Sequence, residues 1–129
     1  MILFINTSKT DLIQVKLIKD NKILAQAGSR EQFKQSELLL SLIDKVKGTK
    51  KLTAIAVVSG PGAFSALRLG IATANALAWS LHIPVIEVSA EEAIDEKLFD
   101  ILKNKTAGKD FKPIVPKYGR EPNITAAKK

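Results

Sequence analysis

Apolar residues recur with two different periods along the chain, and the change of period separates predicted strands from predicted helices. Ile2–Ile5 is a short apolar run, the next stretch nearly alternates up to Ile18, and another extended segment begins at Ile23 after the turn residues Asp20-Asn21. Near-alternation interrupted by turn residues is typical of strands. The first 28 residues therefore predict three strands in an antiparallel meander.

The period lengthens after Gly28. Ser29 and Gln32 have the spacing of a capping box, and apolar residues then recur every three or four positions as far as Gly48. This pattern predicts the first helix, beginning near Ser29.

The next segment, Thr53–Val58, is continuously apolar, as expected of a strand buried on both faces, and it ends in the turn 59–62. The remaining predicted elements are a helix over 64–81, a strand over 85–88 and an amphipathic helix over 91–102. This element order is similar to that of the RNase H-like fold of actin-like and sugar-kinase ATPases. We expect a single α/β domain with a mixed five-stranded sheet.

Composition narrows the chemistry. The 129 residues are enough for one hydrophobic core, and 46% apolar with 26% charged residues is ordinary globular usage. With no cysteine and with His82 as the one histidine, disulfides and sites of several thiolates or imidazoles are excluded. We expect no metal and no cofactor. Because Met1–Ile5 is too short for a leader or a membrane span, we expect a cytoplasmic protein.

Positive charge is concentrated at the end of the chain. Residues 103–129 hold eight of the 20 Lys and Arg and two of the 13 acidic residues, which places +6 of the net charge of +7 there. We expect an ordered body over 1–103 and a basic tail over 104–129. The tail is either an arm for RNA or an acidic partner, or simply a solvated end.

The turn Gly60-Pro61-Gly62 lies directly before a predicted helix. Glycine permits backbone angles closed to other residues, and helix N-termini expose N–H groups that bind anions. One interpretation is therefore a loop for an anion or a nucleotide. The other is a tight strand-to-helix joint without a ligand, because the segment lacks a Walker-A lysine and the spacing of a dinucleotide fingerprint.

The segment 57–70, Val-Val-Ser-Gly-Pro-Gly-Ala-Phe-Ser-Ala-Leu-Arg-Leu-Gly, closely resembles the corresponding loop of the TsaB (YeaZ) family. Shorter matches to that family lie at 4–8, 35–40, 83–89 and 118–122. Typical members have a second subdomain, most of which is missing from this sequence. The resemblance adds Asn6, Thr7 and Ser8 to the expected anion or nucleotide loop.

The resemblance implies a non-catalytic subunit that pairs with TsaD, the catalytic paralogue, in the synthesis of threonylcarbamoyladenosine in tRNA. Ala90 and Ile94 stand where TsaD has its metal-binding histidines, and neither side chain can ligate a metal. Asn6 replaces the aspartate that nucleotide-hydrolysing relatives use, so we do not expect ATPase activity. Further implied partners are a TsaE-like ATPase and a second copy of the chain.

Two helices carry the expected partner interface. Small residues recur every fourth position in the second helix, and Leu40 points away from the apolar face of the first. The expected interface residues are Glu37, Leu40, Ala66, Arg68, Gly70, Ala74 and Ala78. The alternative for the small residues is packing against the protein's own sheet.

Two other functions stay open at this point. One is a vestigial nucleotide hydrolase or a glycoprotease-like peptidase, although His82 at a helix end favours a capping role over catalysis. The other is a tRNA-binding module that acts through the basic tail. Phe111 and Tyr118 are the tail's aromatic residues, which provides few stacking platforms.

Deletion of residues 104–129 is expected to leave the melting temperature nearly unchanged and to weaken salt-dependent tRNA binding, because the tail contributes charge rather than core. Thermal denaturation and binding titrations at several salt concentrations check this. A large loss of stability would mean that Ile114, Val115 and Tyr118 pack on the body.

Overall fold

The computed structural model describes residues 1–9, 12–30, 35–62, 64–93 and 95–105. Its five strands form one sheet in the order β3-β2-β1-β4-β5. The elements are β1 (Ile2–Lys9), β2 (Leu12–Lys19), β3 (Lys22–Ser29), α1 (Gln35–Lys47), β4 (Ala54–Gly60), α2 (Phe64–Leu81), β5 (Val85–Ser89), a one-turn 3₁₀ helix (Ala90–Glu92) and α3 (Asp95–Lys105).

Strand β1 lies at the centre of the sheet. It pairs antiparallel with β2, where Ile2 faces Ile18, and parallel with β4, where Ile2 faces Ala54. β3 continues the antiparallel meander, and β5 adds in parallel to β4. The expected mixed five-stranded α/β domain is confirmed, as is the burial of β4 along its whole length.

Helices cover both faces of the sheet. Leu39 of α1 and Leu67 of α2 pack in one core cluster with Leu3, Val15 and other side chains from that face. On the other face, α3 contributes to a second cluster around Phe4. α1 and α2 lie on the same face of the sheet, and the side of each helix that does not contact the sheet points outwards. No helix within the described ranges is long and apolar enough to cross a membrane.

Of the capping box predicted at Ser29 and Gln32, Ser29 belongs to a strand, and Gln32 lies outside the described residues. Ser29 is the last residue of β3 and pairs with Ile13, and α1 begins at Gln35. The box lies instead at Ser89, whose Oγ accepts from Glu92 N–H at 3.2 Å while Ser89 N–H donates to Glu92 Oε1 at 3.0 Å. This box starts the 3₁₀ turn, so the helix predicted over 91–102 is divided and α3 itself begins at Asp95.

The small residues of α2 pack against the sheet, which corrects their placement at a partner interface. Ala66, Gly70, Ala74 and Ala78 are all buried within the chain. Thr7 Oγ1 of β1 donates a 2.6 Å hydrogen bond to Ala66 O, and a Cβ at Gly70 would overlap that same Oγ1. Small side chains are therefore needed here because α2 approaches β1 closely.

Ala74→Arg is expected to lower the free energy of unfolding by about 3 kcal/mol or more, because the guanidinium would be buried without a partner. Ala72→Arg is the matched control, since Ala72 is exposed on the same helix and should leave the fold intact. Circular dichroism melts with sizing chromatography separate the two. A folded Ala74→Arg variant that had lost only its self-association would contradict this placement.

Candidate functional site

The carboxyl ends of three parallel strands, β1, β4 and β5, meet at one edge of the sheet. Open α/β sheets bind ligands at this edge, because loops and helix N-termini converge there. Asn6 and Ser8 lie near the end of β1, and Gly60 at the end of β4 pairs with Ser89 at the end of β5. The two predicted loop segments, 6–8 and 60–62, are thus brought together.

Within the first segment, the three predicted residues have different roles. Asn6 Oδ1 accepts hydrogen bonds from Ser8 N–H at 3.0 Å and from Ser8 Oγ at 2.8 Å. These two bonds fix the local backbone conformation near the end of β1. Thr7 is 0% exposed and its hydroxyl is bonded to α2. The placement of Thr7 in a ligand-facing loop is therefore wrong, since its side chain points into the core.

The second segment packs directly on the first. A Cβ at Gly62 would overlap the carbonyl oxygen of Ser8, so only glycine allows this approach. Gly60 has a φ of 132°, and the Gly60–Pro61 peptide bond is cis. The close approach of Gly62 to Ser8 and the positive φ of Gly60 account for the two glycines of this tight joint between β4 and α2. Anion or nucleotide binding by the loop stays a prediction.

A cavity of about 220 Å³ opens beside Asn6 and Ser8. Lys9 and Gln14 also line it, together with apolar groups of Leu12, Ala90 and Ala93. Sequence reasoning missed Gln14, which the antiparallel pairing of β1 and β2 sets opposite Asn6.

A side-chain hydrogen bond connects the edge strand β5 to β4 next to this site. Ser59 is buried, and its Oγ donates a 2.7 Å hydrogen bond to Glu87 Oε2. A hydrogen bond to a carboxylate is stronger than one between neutral groups. The bond therefore holds β5 and β4 in register where the Gly-Pro-Gly joint begins.

The described ranges hold no group of three or more His, Asp or Glu side chains that could bind a metal ion. Ala90 begins the 3₁₀ turn after β5, and Ile94, the second position matched to a TsaD histidine, lies outside the described residues.

His82 caps a helix. It is exposed and has a φ of 58°, its N–H donates to Trp79 O at 3.3 Å, and Ile83 N–H donates to Ala78 O at 3.0 Å. These two hydrogen bonds form a Schellman motif, which provides donors for carbonyl groups in the last turn of α2. The capping interpretation of His82 is confirmed.

The face of α2 opposite the sheet carries an exposed apolar surface that sequence reasoning missed. Trp79 is 67% exposed, and Ala76 and Ala72 are exposed one and two turns before it. Leu40 of α1 is 64% exposed, as its position off the helix's apolar face predicted. We call Leu40, Arg68, Ala72, Ala76 and Trp79 the outer helix surface. Arg68 is exposed as well and has a partner within the chain.

Trp79 could have been found from spacing. Positions 65, 68, 72, 76 and 79 recur every three or four residues, out of phase with the small residues at 66, 70, 74 and 78. Assigning the small residues to the sheet would have placed Trp79 outside. Glu37, the remaining expected interface residue, belongs to α1, but its side chain lies outside the described ones.

A mixed sheet in this strand order, with helices on both faces, defines an RNase H-like domain of the actin-like superfamily. The family model described as "TsaD: tRNA N6-adenosine threonylcarbamoyltransferase" matches residues 31–107, and the chain belongs to that family. Its relatives and structural neighbours include TsaB and YeaZ, which confirms the resemblance found in the sequence.

The sequence matches are local. TsaB of Bacillus subtilis, a "tRNA threonylcarbamoyladenosine biosynthesis protein", is 44% identical over 43 residues, which cover 33% of this chain and 19% of TsaB. A tRNA N6-adenosine threonylcarbamoyltransferase of Streptococcus pyogenes (serotype M5, strain Manfredo) is 50% identical over 38 residues, covering 30% of this chain and 11% of that protein.

The structural match is broader. YeaZ from Pseudomonas aeruginosa superposes with a TM-score of 0.62 and 27% identity, covering 68% of this chain and 43% of YeaZ. The matched part thus spans less than half of the YeaZ chain.

His82→Gly is expected to raise the free energy of unfolding by about 1 kcal/mol, because glycine adopts a positive φ without the cost borne by a residue with a Cβ. Ser80→Gly, two residues earlier in the helix, should lower it by about 1 kcal/mol. Thermal denaturation of the two variants checks both signs. Equal destabilisation by the two substitutions would contradict the capping role.

Proposed function

We propose that this chain acts as a non-catalytic subunit in the synthesis of threonylcarbamoyladenosine in tRNA, where it pairs with a TsaD-like catalytic paralogue through the outer helix surface. The observation that carries the proposal is the exposure of Trp79 and Leu40 on two neighbouring helices of one face. Family membership supplies the pathway.

Exposure of the outer helix surface to water is unfavourable in free energy. A tryptophan side chain buries 150–250 Å² in a protein interior, and burial of apolar area is worth about 25 cal/mol per Å². Since about two thirds of Trp79 is exposed, covering it in a complex would contribute roughly 3 kcal/mol before entropic costs. That magnitude is typical of a residue that dominates an interface.

The shape of α2 also favours another helix as the partner. Ala72 and Ala76 keep the helix surface low beside Trp79, so a second helix could approach closely and pack against the indole. A bundle of α1 and α2 with helices of another subunit would bury the apolar groups and leave Arg68 near its rim. This arrangement suits the catalytic paralogue or a second copy of the chain.

A non-catalytic role is consistent with the carboxyl edge of the sheet. The side-chain oxygen of Asn6 accepts hydrogen bonds from Ser8, and the hydroxyl of Thr7 donates a hydrogen bond to the backbone of α2. Neither residue offers the charge that would hold a metal–phosphate unit. We infer that turnover resides in the paralogue, and that a TsaE-like ATPase binds the assembled pair.

Trp79→Ala is expected to weaken binding to the TsaD-like paralogue by at least tenfold, and Leu40→Asp by a similar factor, because each removes apolar area from the interface. Isothermal titration calorimetry measures both. Leu24→Ala is the matched control, since Leu24 is a large exposed apolar residue on the edge strand β3 and is not part of the outer helix surface.

The same variants test the functional half of the proposal. Threonylcarbamoyladenosine formation in a reconstituted mixture should require the wild-type chain and fall in proportion to lost binding. Unchanged binding and unchanged product with Trp79→Ala would show that the interface lies elsewhere. Product formed by the chain without the paralogue would overturn the non-catalytic assignment.

A further inference from the structure

Five exposed lysines from three separate segments lie at the end of the sheet opposite the candidate site. Lys19 and Lys22 flank the turn between β2 and β3, Lys45 is in the last turn of α1, and Lys50 and Lys51 precede β4. We call this group the lysine end.

Strand pairing brings these segments together. Lys19 pairs with Lys22, the adjacent Ile18 pairs with Ile2, and Thr53 N–H donates to Met1 O at 2.7 Å. Neighbouring strands lie about 4.8 Å apart, so the distance from β3 to β4 at this end is roughly 15 Å. That span matches a few successive phosphates of a nucleic acid.

The helix connection adds the remaining charge. α1 ends at Lys47, and Gly48, with a φ of 56°, turns the chain back towards β4. A residue with a Cβ would be strained at this φ, so glycine keeps the loop short and holds Lys50 and Lys51 at the same end.

Helix capping explains only part of the cluster. A helix C-terminus carries about half a negative charge, which accounts for cations in the last turn of α1 such as Lys45. Lys19, Lys22, Lys50 and Lys51 lie outside helices and have no such role. The same segments carry two acidic residues, Asp20 and Asp44, against the five lysines, so positive charge is in excess within them.

A cavity of about 410 Å³ opens at the same end. Its polar lining consists of Lys19, Asp20, Asn21 and Thr53, and its apolar lining includes Phe99 and Leu102 of α3. Donors and acceptors beside an aromatic ring are the groups that recognise an unpaired nucleobase. Cations for phosphates and a cavity for a base thus occur side by side.

We propose that the lysine end binds RNA, with the lysines on the phosphate backbone and an unpaired base in the cavity. The choice of tRNA as the RNA rests on the proposed function. The five lysines are distinct in sequence from the residues of the outer helix surface and from those of the basic tail.

The test measures tRNA binding to the full chain alone, without any paralogue, by fluorescence anisotropy between about 50 and 200 mM salt. Lys19→Gln combined with Lys50→Gln is compared with Arg30→Gln combined with Lys97→Gln. The control pair removes two exposed cations that are not part of the lysine end. All variants retain the tail, so its contribution cancels.

The first double variant is expected to bind tRNA about tenfold more weakly at 100 mM salt and to reduce the salt slope by about 1–2, because each lost phosphate contact removes roughly 0.7–0.9 from the slope. The control pair should change neither quantity by more than about twofold. Equal losses in the two double variants would overturn the proposal.

Two further probes separate RNA from other polyanions and test the cavity. Vesicles rich in anionic lipid should bind more weakly than tRNA. Equally tight binding of vesicles that depends on Lys19 would mean that the lysine end binds a membrane surface and would overturn the RNA proposal. A blunt RNA duplex with the same number of phosphates should also bind more weakly. Equal affinity for the duplex would overturn the role of the cavity. These outcomes do not depend on whether Trp79 binds a paralogue.

Discussion

The hydrogen bond between Thr7 and the backbone of α2 determines how the rest of the domain is arranged. Thr7 lies on the central strand, and its hydroxyl reaches Ala66 O because Gly70 leaves room for the threonine side chain. A buried hydroxyl without a partner would cost about 1–3 kcal/mol, so this contact has a strong reason to persist. It fixes both the rotation of α2 about its axis and its distance from β1.

That rotation decides which residues meet solvent. With 66, 70, 74 and 78 facing the sheet, the residues half a turn away face outwards and expose Trp79. The same close approach draws the start of α2 towards β1, where Gly62 rests on Ser8. One buried contact therefore connects the packing of the core, the shape of the Gly-Pro-Gly joint and the exposure of Trp79.

Most of the architecture could be predicted from the sequence because each element has an uninterrupted pattern. The alternation of β2, the apolar run of β4 and the long helix before Pro84 are local signals, and all three elements occur where expected. The capping boxes were harder to predict. Ser29 and Ser89 both have a polar partner three residues later, and only the length of β3 decides against Ser29.

The site was less predictable for a related reason. Small residues at every fourth position permit close approach to any neighbour, and nothing local states whether that neighbour is a sheet or a partner. The choice depended on Thr7, which is 59 residues from Ala66 in the chain. The cluster of lysines likewise arises only from tertiary structure, since β1 lies between β2 and β4 and brings Lys19 and Lys51 to the same end of the sheet.

The irregular edge of β3 affects how the domain can assemble. The register of β2 and β3 shifts between Leu17 and Ile18, which leaves Leu24 as an extra residue on the outer strand, and Lys22 follows the hairpin turn. Bulges and charges of this kind disfavour the addition of a further strand. Sheet extension from one molecule to the next, the route to filaments and aggregates, is discouraged on this side.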